Sequence, residues 1–372
     1  MSVIVIGGGI LGASAAYHLA KKGAEVTLVD RQDLGQATDA AAGIVCPWLS
    51  QRRNKAWYRM VKGGAKYYPE LVNMLTEDGE ADVGYKQVGT ISLHTDQTKL
   101  EKMVERAKKR REDAPEIGDI KLLSPEEARS YFPLLSEDYG AVYVSGGARV
   151  DGRAMRDSLI RGAEKNGATV MRGSAQILTD GYYVIGAEVN GEKLLANQVI
   201  DTSGAWSKQL LQPLGLTFQV THQRAQIIHL RYHHLETGGW PVVMPPNNSY
   251  LLTFDDNKIV VGATRTDEVE FDYRNTTAGI HEMLGKALEV APGLDDSSVI
   301  ETRVGFRPYT PGFLPVIGPV QQFNGLLVAN GLGASGLTSG PYLGAELARL
   351  VLGVPTELQI EDYDVNQAIK EE

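Results

Sequence analysis

Across residues 304–345 the chain carries one charged side chain, Arg307, set among Phe306, Pro308, Tyr309, Phe313 and Leu314. A guanidinium in such surroundings loses hydration that only an anion restores. Its planar fork suits a carboxylate held through two hydrogen bonds. The expected chemistry is capture of a carboxylate-bearing substrate; the competing reading is a structural ion pair with an Asp or Glu from elsewhere in the chain. The other reactive side chains are weaker candidates. His222 and Arg224 lie in an alternating stretch, 221–226, where solvent or a domain junction is the expected environment. His18 falls within a helical stretch, where a cofactor role is not expected. Cys46 is read as a small packing residue near the ligand. As the only cysteine it excludes an internal disulfide and a multi-cysteine metal or iron–sulfur site, so no metal centre is expected, and this usage fits a reducing cytoplasm.

A second chemical signature opens the chain. Residues 3–6, Val-Ile-Val-Ile, form a β-branched run of the kind that makes a buried parallel strand. Gly7, Gly8, Gly9, Ile10, Leu11 and Gly12 follow at once, then a helical stretch to Lys22, then Val26 to Val29 and a terminal Asp30. Gly7 allows the tight turn, Gly9 lets backbone approach a pyrophosphate, and Gly12 lets the helix pack closely. The helix N-terminus presents free N–H groups to phosphate. Asp30 can accept hydrogen bonds from a ribose 2′-OH, and its charge disfavours the 2′-phosphate of NADP. A dinucleotide site is therefore expected, with FAD and NAD both compatible with this motif alone.

Length and composition frame these motifs. The 372 residues suit two domains, and 43% hydrophobic with 22% charged residues is ordinary for a folded globular chain. Glycine is the exception: 41 residues, about 11% against a usual share of about 7%. A net charge of −9 disfavours polyanion binding, so no nucleic-acid partner is expected. The basic cluster 108–111 reads as the solvated face of an amphipathic helix. The N-terminal run reads as a strand rather than a signal peptide, and the apolar stretches fall short of a membrane span. A cytoplasmic protein is expected.

Downstream elements favour FAD. Residues 199–206 read as a strand running into a Gly turn, and 326–329 as another strand, followed by Asn330-Gly331-Leu332-Gly333-Ala334-Ser335-Gly336-Leu337 and a helix over 339–352. A second strand, Gly loop and helix brings a second helix dipole to the ligand. Alternating runs at 88–94, 226–230, 250–254 and 258–263 predict strands of another sheet, with Asp255-Asp256-Asn257 as a turn.

The order and spacing of several segments resemble the D-amino-acid oxidase-like superfamily of FAD oxidoreductases, nearest its glycine oxidase and sarcosine oxidase branch. They are the N-terminal fingerprint with Asp30, the Ala40-Ala41-Ala42-Gly43 loop, Gly146 to Asp151, Asp201 to Ser207, Val260 to Thr264, Gly305-Phe306-Arg307-Pro308 and Pro315 to Gly318. The resemblance implies an α/β fold. A Rossmann-like FAD domain of the glutathione-reductase-like type would comprise 1–85, 145–215 and 300–372, and a substrate domain with a large mixed or antiparallel sheet would comprise 86–144 and 216–299. Together with the fingerprint it implies cofactor contacts from Gly7, Gly9, Ile10, Leu11, Gly12, Asp30, Arg31, Ala42, Gly43, Ser203, Gly204, Trp206, Gly333, Ala334, Ser335, Gly336, Leu337 and Thr338. Cys46 and Trp48 would border the substrate.

In glycine oxidase-like enzymes an Arg matching Arg307 binds the substrate carboxylate, and a Tyr matching Tyr250 lies over the substrate. These two are the expected catalytic residues, although a Tyr on a strand also suits plain packing. Such enzymes carry a basic residue where this chain has Ala334, so a larger, secondary or cyclic amine is expected to fit better than glycine. Relatives that tether FAD use Cys at the position of Arg307 or His within 40–42, and with neither present the FAD is expected to be non-covalent. The expected reaction is oxidation of an amino acid or N-substituted glycine, such as glycine, sarcosine, a proline-like compound or a D-amino acid. A hydride passes from the α-carbon to flavin N5, and the imine product hydrolyses. Electrons would then reach O2 or an unidentified acceptor. The alternatives are a 2-hydroxy-acid dehydrogenase of the same fold and the flavin subunit of a multi-subunit dehydrogenase; a homo-oligomer is compatible with either.

Overall fold

The computed structural model describes residues 1–267 and 270–370. The N-terminal strand Ser2–Ile6 sits inside a six-stranded sheet in the order 316–319, 326–330, 198–201, 2–6, 25–30, 169–172. All its pairings are parallel except that of the edge strand Val316–Pro319. Parallel strands need cover on both faces, and the alternation of the first strand shows how it is supplied. Val3 and Val5 pack with the helices Ile10–Lys21, Gly152–Lys165 and Gly336–Val351. Ile4 and Ile6 point the other way, onto Val184, Ala187 and Val189 of a three-stranded antiparallel layer.

The second sheet has eight strands in the order 298–309, 221–231, 258–262, 250–253, 242–244, 90–94, 140–144, 120–123. Only the pairing of Val242–Met244 with Thr90–His94 is parallel. One face is sealed by the helices Pro125–Tyr131 and Thr277–Val290, which bury Ile228, Leu251, Ile259 and Val261. The runs expected at 226–230, 250–254 and 258–263 all lie in this sheet, and 255–257 form its turn. Residue 300, placed by the sequence reading at the start of a cofactor-domain segment, falls inside the strand Ser298–Tyr309. That strand pairs along its length with Thr221–Arg231. Arg307 is thereby carried by the large sheet, facing the cavity that separates it from the parallel one.

The helix Gln97–Arg111 forms over the basic cluster, and Lys108, Lys109 and Arg111 are exposed. Arg110 departs from the expected solvated face. It lies 4.4 Å from the Tyr58 ring centroid and donates to the backbone oxygens of Trp48 and Ser50. Among the described residues no helix is long and apolar enough to cross a membrane, and no cluster of His, Cys, Asp and Glu is arranged to hold a metal ion.

Candidate active site

A cavity of about 660 Å³ runs between the two sheets. Gly7, Gly9, Ile10, Leu11, Asp30 and Arg31 line one part of it; Ala42, Gly43, Ser203, Gly204, Trp206 and residues 333–338 continue the wall. Gly12 does not face it. A Cβ there would stand 1.9 Å from the Gly7 oxygen and 2.3 Å from Thr202 Oγ1, so this glycine lets the first helix press onto the sheet instead. Gly7 has φ +108, which only glycine adopts readily.

The cradle fits a dinucleotide. The nearest atom to a Cβ built on Gly9 is Thr38 Oγ1 at 3.5 Å, which leaves the cavity side of the backbone open. Among the described residues the N-cap residues of the helices Ile10–Lys21 and Gly336–Val351 make no side-chain bond to the first turn and neither first turn holds an acid; the Ile10 N–H alone is taken, by the Thr38 hydroxyl at 3.0 Å. Their free N–H groups and positive dipole ends meet one cavity, as a pyrophosphate and an electron-rich ring edge require. Asp30 is fixed by Gly8 N–H at 2.5 Å and by the Gln36 side-chain amide at 2.9 Å, with its carboxylate on the cavity wall. Residues 173–177 and Gln209, Leu210 and Pro213 also line the cavity. They belong to the Asp30 end, because Gly173 N–H donates to the Asp30 carbonyl at 3.0 Å and Arg31 reaches Gln209 at 3.5 Å. No sequence motif marks them.

Arg307 and Tyr250 meet on the large-sheet side. Tyr250 and the Arg307 guanidinium stand together on the cavity wall; burial raises the tyrosine's pKa and the charge of Arg307 opposes that rise. Gly262, paired in register with Tyr250, makes room for the ring: a Cβ there would lie 2.4 Å from the Tyr250 hydroxyl. Gln223, opposite Arg307 in the sheet, accepts from its Nη1 at 3.5 Å and donates to Asp267. Among the described residues Arg307 forms no ion pair, so the guanidinium is held by neutral groups. The rest of this end includes Ile44, Cys46, Pro47, Ser50, Trp57, Ala225, Met244, Leu332 and Ala334. Trp57 donates to Ser335 Oγ at 3.0 Å. Trp57, Met244 and Gln223 carry no motif that a single sequence reveals.

The expectations for Trp48 and Arg224 are revised. Trp48 does not line the cavity; it is 1% exposed and packed in the core. Arg224 does not meet solvent. It is buried, and donates to the backbone oxygens of Asp272 (2.8 Å) and Arg274, because its strand lies inside the sheet and is covered on both faces. His222 stacks on Phe271 at 4.3 Å and is not part of the lining. His18 lies away from the cavity, bonded to the Ser14 carbonyl and the Tyr67 hydroxyl, and burial pushes its pKa down to about 4. Cys46 does line the cavity, with its thiol pushed up to about 12 by burial, so it is held protonated.

The titratable groups on the wall are Asp30, Arg31, Asp33, Cys46, Tyr250 and Arg307. Arg31 and Asp33 pair with each other at 2.9 Å beside Asp30. Among the described residues the Arg307 end therefore has no carboxylate or imidazole to act as a base.

The profile of the family described as FAD dependent oxidoreductase (DAO) matches residues 2–350. An oxidoreductase of Bacillus subtilis named YurR is 58% identical over 364 residues, 98% of each chain. The glycine oxidase of Pseudomonas aeruginosa is 30% identical over 359 residues, 94% of each chain. The crystal structure of iminodiacetate oxidase from Chelativorans sp. BNC1 superimposes with a TM-score of 0.94 at 45% identity, covering 97% of this chain and 98% of that one.

Proposed function

The chain belongs to the DAO family of FAD-dependent oxidoreductases, and from that premise we propose that it oxidises N-substituted glycines and related amino acids at the carbon between amine and carboxylate. One observation carries this reading: Arg307, without an anionic partner among the described residues, stands beside Tyr250 on the wall of the cofactor cavity. Similarity to glycine oxidase and to iminodiacetate oxidase supports the same substrate class.

In this reading Arg307 binds the substrate carboxylate through its fork, and the Tyr250 hydroxyl shares that carboxylate. Those contacts fix the α-carbon over the cofactor. FAD, when bound, would supply the acceptor for the hydride, which carries both electrons. No side chain at this end takes a proton, so the amine arrives neutral, having lost its proton to water. The expected consequence is a kcat/KM that rises with pH until the free substrate amine is deprotonated, without a protein base limiting it. Ala334, Leu332, Met244 and Trp57 leave apolar room on the amine's far side, which favours secondary over primary amines. Gly7, Gly9, Ile10 and Leu11 would hold the pyrophosphate, Asp30 the ribose, and residues 333–338 the pyrimidine edge. No nucleophile stands at 307 or 40–42, and the Cys46 thiol is held neutral, so the FAD is bound without a covalent link. Acid precipitation is expected to release all the yellow colour.

Anaerobic mixing of the FAD-loaded protein with sarcosine, proline, iminodiacetate and glycine, against glycolate and lactate, tests the reading. Amines are expected to bleach the flavin. Bleaching by hydroxy acids alone would overturn the proposal. Oxygen consumption by the isolated protein then separates an oxidase from a dehydrogenase that passes electrons to a partner.

A further inference from the structure

Arg307 is partly buried and forms no ion pair among the described residues, yet a carboxylate stands one side chain away. Gln223 separates the two. Strand register puts it directly opposite Arg307, so both side chains share one face of the large sheet. Gln223 is 2% exposed; its Oε1 accepts from Arg307 Nη1 at 3.5 Å, and its Nε2 donates to Asp267. Asp267 is kept in place by its chain neighbours. Arg224 and Thr266 exchange backbone N–H to carbonyl bonds in both directions at 3.0 Å. The Arg224 side chain donates to the Asp272 carbonyl at 2.8 Å, and Phe271 stacks on His222 at 4.3 Å. Residues 266, 271 and 272 are thereby tied to the strand that carries Gln223.

The chemistry of its two partners leaves the amide one orientation. A carboxylate only accepts hydrogen bonds and a guanidinium only donates them, so the amino group of Gln223 must meet Asp267 and its carbonyl must meet Arg307. Because the amide has no net charge, it fixes one N–H of the fork and leaves the whole positive charge and the other donors to a ligand. A carboxylate of the same shape at 223 would instead pair with the guanidinium through charge-assisted bonds and compete with an incoming anion. Asp267, 60% exposed and 3.7 Å from Arg265, keeps its own charge at the surface, where water and salt screen it.

We infer that Gln223 is a positioning residue for Arg307: a neutral spacer, oriented by Asp267, that aims the guanidinium and keeps it free of a protein counter-ion, so that the substrate carboxylate is the first anion it meets. This deepens the proposed function and rests on Arg307 holding that carboxylate.

Methoxyacetate, an ether monocarboxylate with no amine to oxidise, provides the test. It is titrated into FAD-loaded wild type, Gln223→Glu, Gln223→Met and Arg307→Met, and binding is read from the shift in flavin absorption. Gln223→Glu, which keeps the shape and adds a charge, is expected to weaken binding by about a hundredfold, approaching the loss in Arg307→Met. Gln223→Met, which stays neutral and loses only the oriented carbonyl, is expected to weaken it by about threefold to tenfold. A role in packing alone predicts the opposite order, because Glu matches Gln in shape and Met does not. That opposite order, or wild-type affinity in both Gln223 variants, would overturn the inference. Melting temperature and FAD content identify a misfolded variant. If Gln223→Glu is misfolded, Gln223→Met decides: a loss of about threefold or more at unchanged melting temperature supports the inference, and wild-type affinity overturns it. Wild-type binding in Arg307→Met would overturn the proposed function and this inference with it. Loss of binding there, with wild-type binding in both Gln223 variants, would overturn this inference alone.

Discussion

At the Asp30 end the cavity is walled mainly by backbone: Gly7, Gly9, the first turn of the helix Ile10–Lys21, and the 173–177 segment bonded to Asp30. At the Arg307 end it is walled by side chains from separate stretches, among them Trp57, Met244, Tyr250 and Arg307. A backbone cradle depends on residues lacking side chains, so its failure comes from adding atoms. A side-chain pocket depends on functional groups, so its failure comes from removing them. The two ends should therefore break separately.

The largest effect is expected from Arg307→Met. Removing one partner of a desolvated charge pair costs about 2–5 kcal/mol, so kcat/KM for amine substrates should fall by about thirtyfold to several thousandfold, with FAD content unchanged. Parallel loss of FAD would dissolve the distinction between the ends. Gly12→Ala should do the reverse. Its Cβ would meet Gly7 oxygen at 1.9 Å, and overpacking of about 1–3 kcal/mol should weaken FAD binding by about tenfold to a hundredfold, measured by flavin fluorescence. The KM of the FAD-loaded fraction should not move. Gly262→Ala sharpens the comparison, because here an added atom acts on the substrate end. A Cβ 2.4 Å from the Tyr250 hydroxyl must displace that ring, and a rise of about tenfold in KM is expected from one strained polar contact, with FAD retained.

The smallest effect concerns pH. His18 sits on the helix that starts at the cradle, and its folded pKa is about 4 against an ordinary 6.5. Between those values the unfolded chain takes up a proton that the native ring refuses, so stability falls as pH drops from 6.5 towards 4. His229, pushed down to about 4 by burial, acts in the same direction. His18→Gln should flatten the slope by up to about 1.4 kcal/mol per pH unit, read from denaturant melts across that range.

The same contrast explains what could be read without coordinates. The first strand, glycine turn, helix and Asp30 are contiguous, so local periodicity and glycine spacing suffice to place them. Arg307 stood out because its neighbours in sequence are apolar. Gln223 did not, because only the register of two strands brings it opposite Arg307. Trp48 was misplaced for a related reason: the chain turns inward after Cys46 and Pro47, and Arg110 pins the turn from a distant helix. The strand Ser298–Tyr309 runs from exposed residues into the cavity wall without a change in composition, so no local signal marks where along it the wall begins.

Single turnover of the FAD-loaded enzyme with sarcosine deuterated either at the α-carbon or at the N-methyl group tests most directly whether Arg307 and Tyr250 aim the α-carbon at the cofactor. The account predicts a primary isotope effect on flavin reduction from the α-label only, with glyoxylate and methylamine as products. An isotope effect confined to the methyl label, with formaldehyde and glycine released, would contradict it.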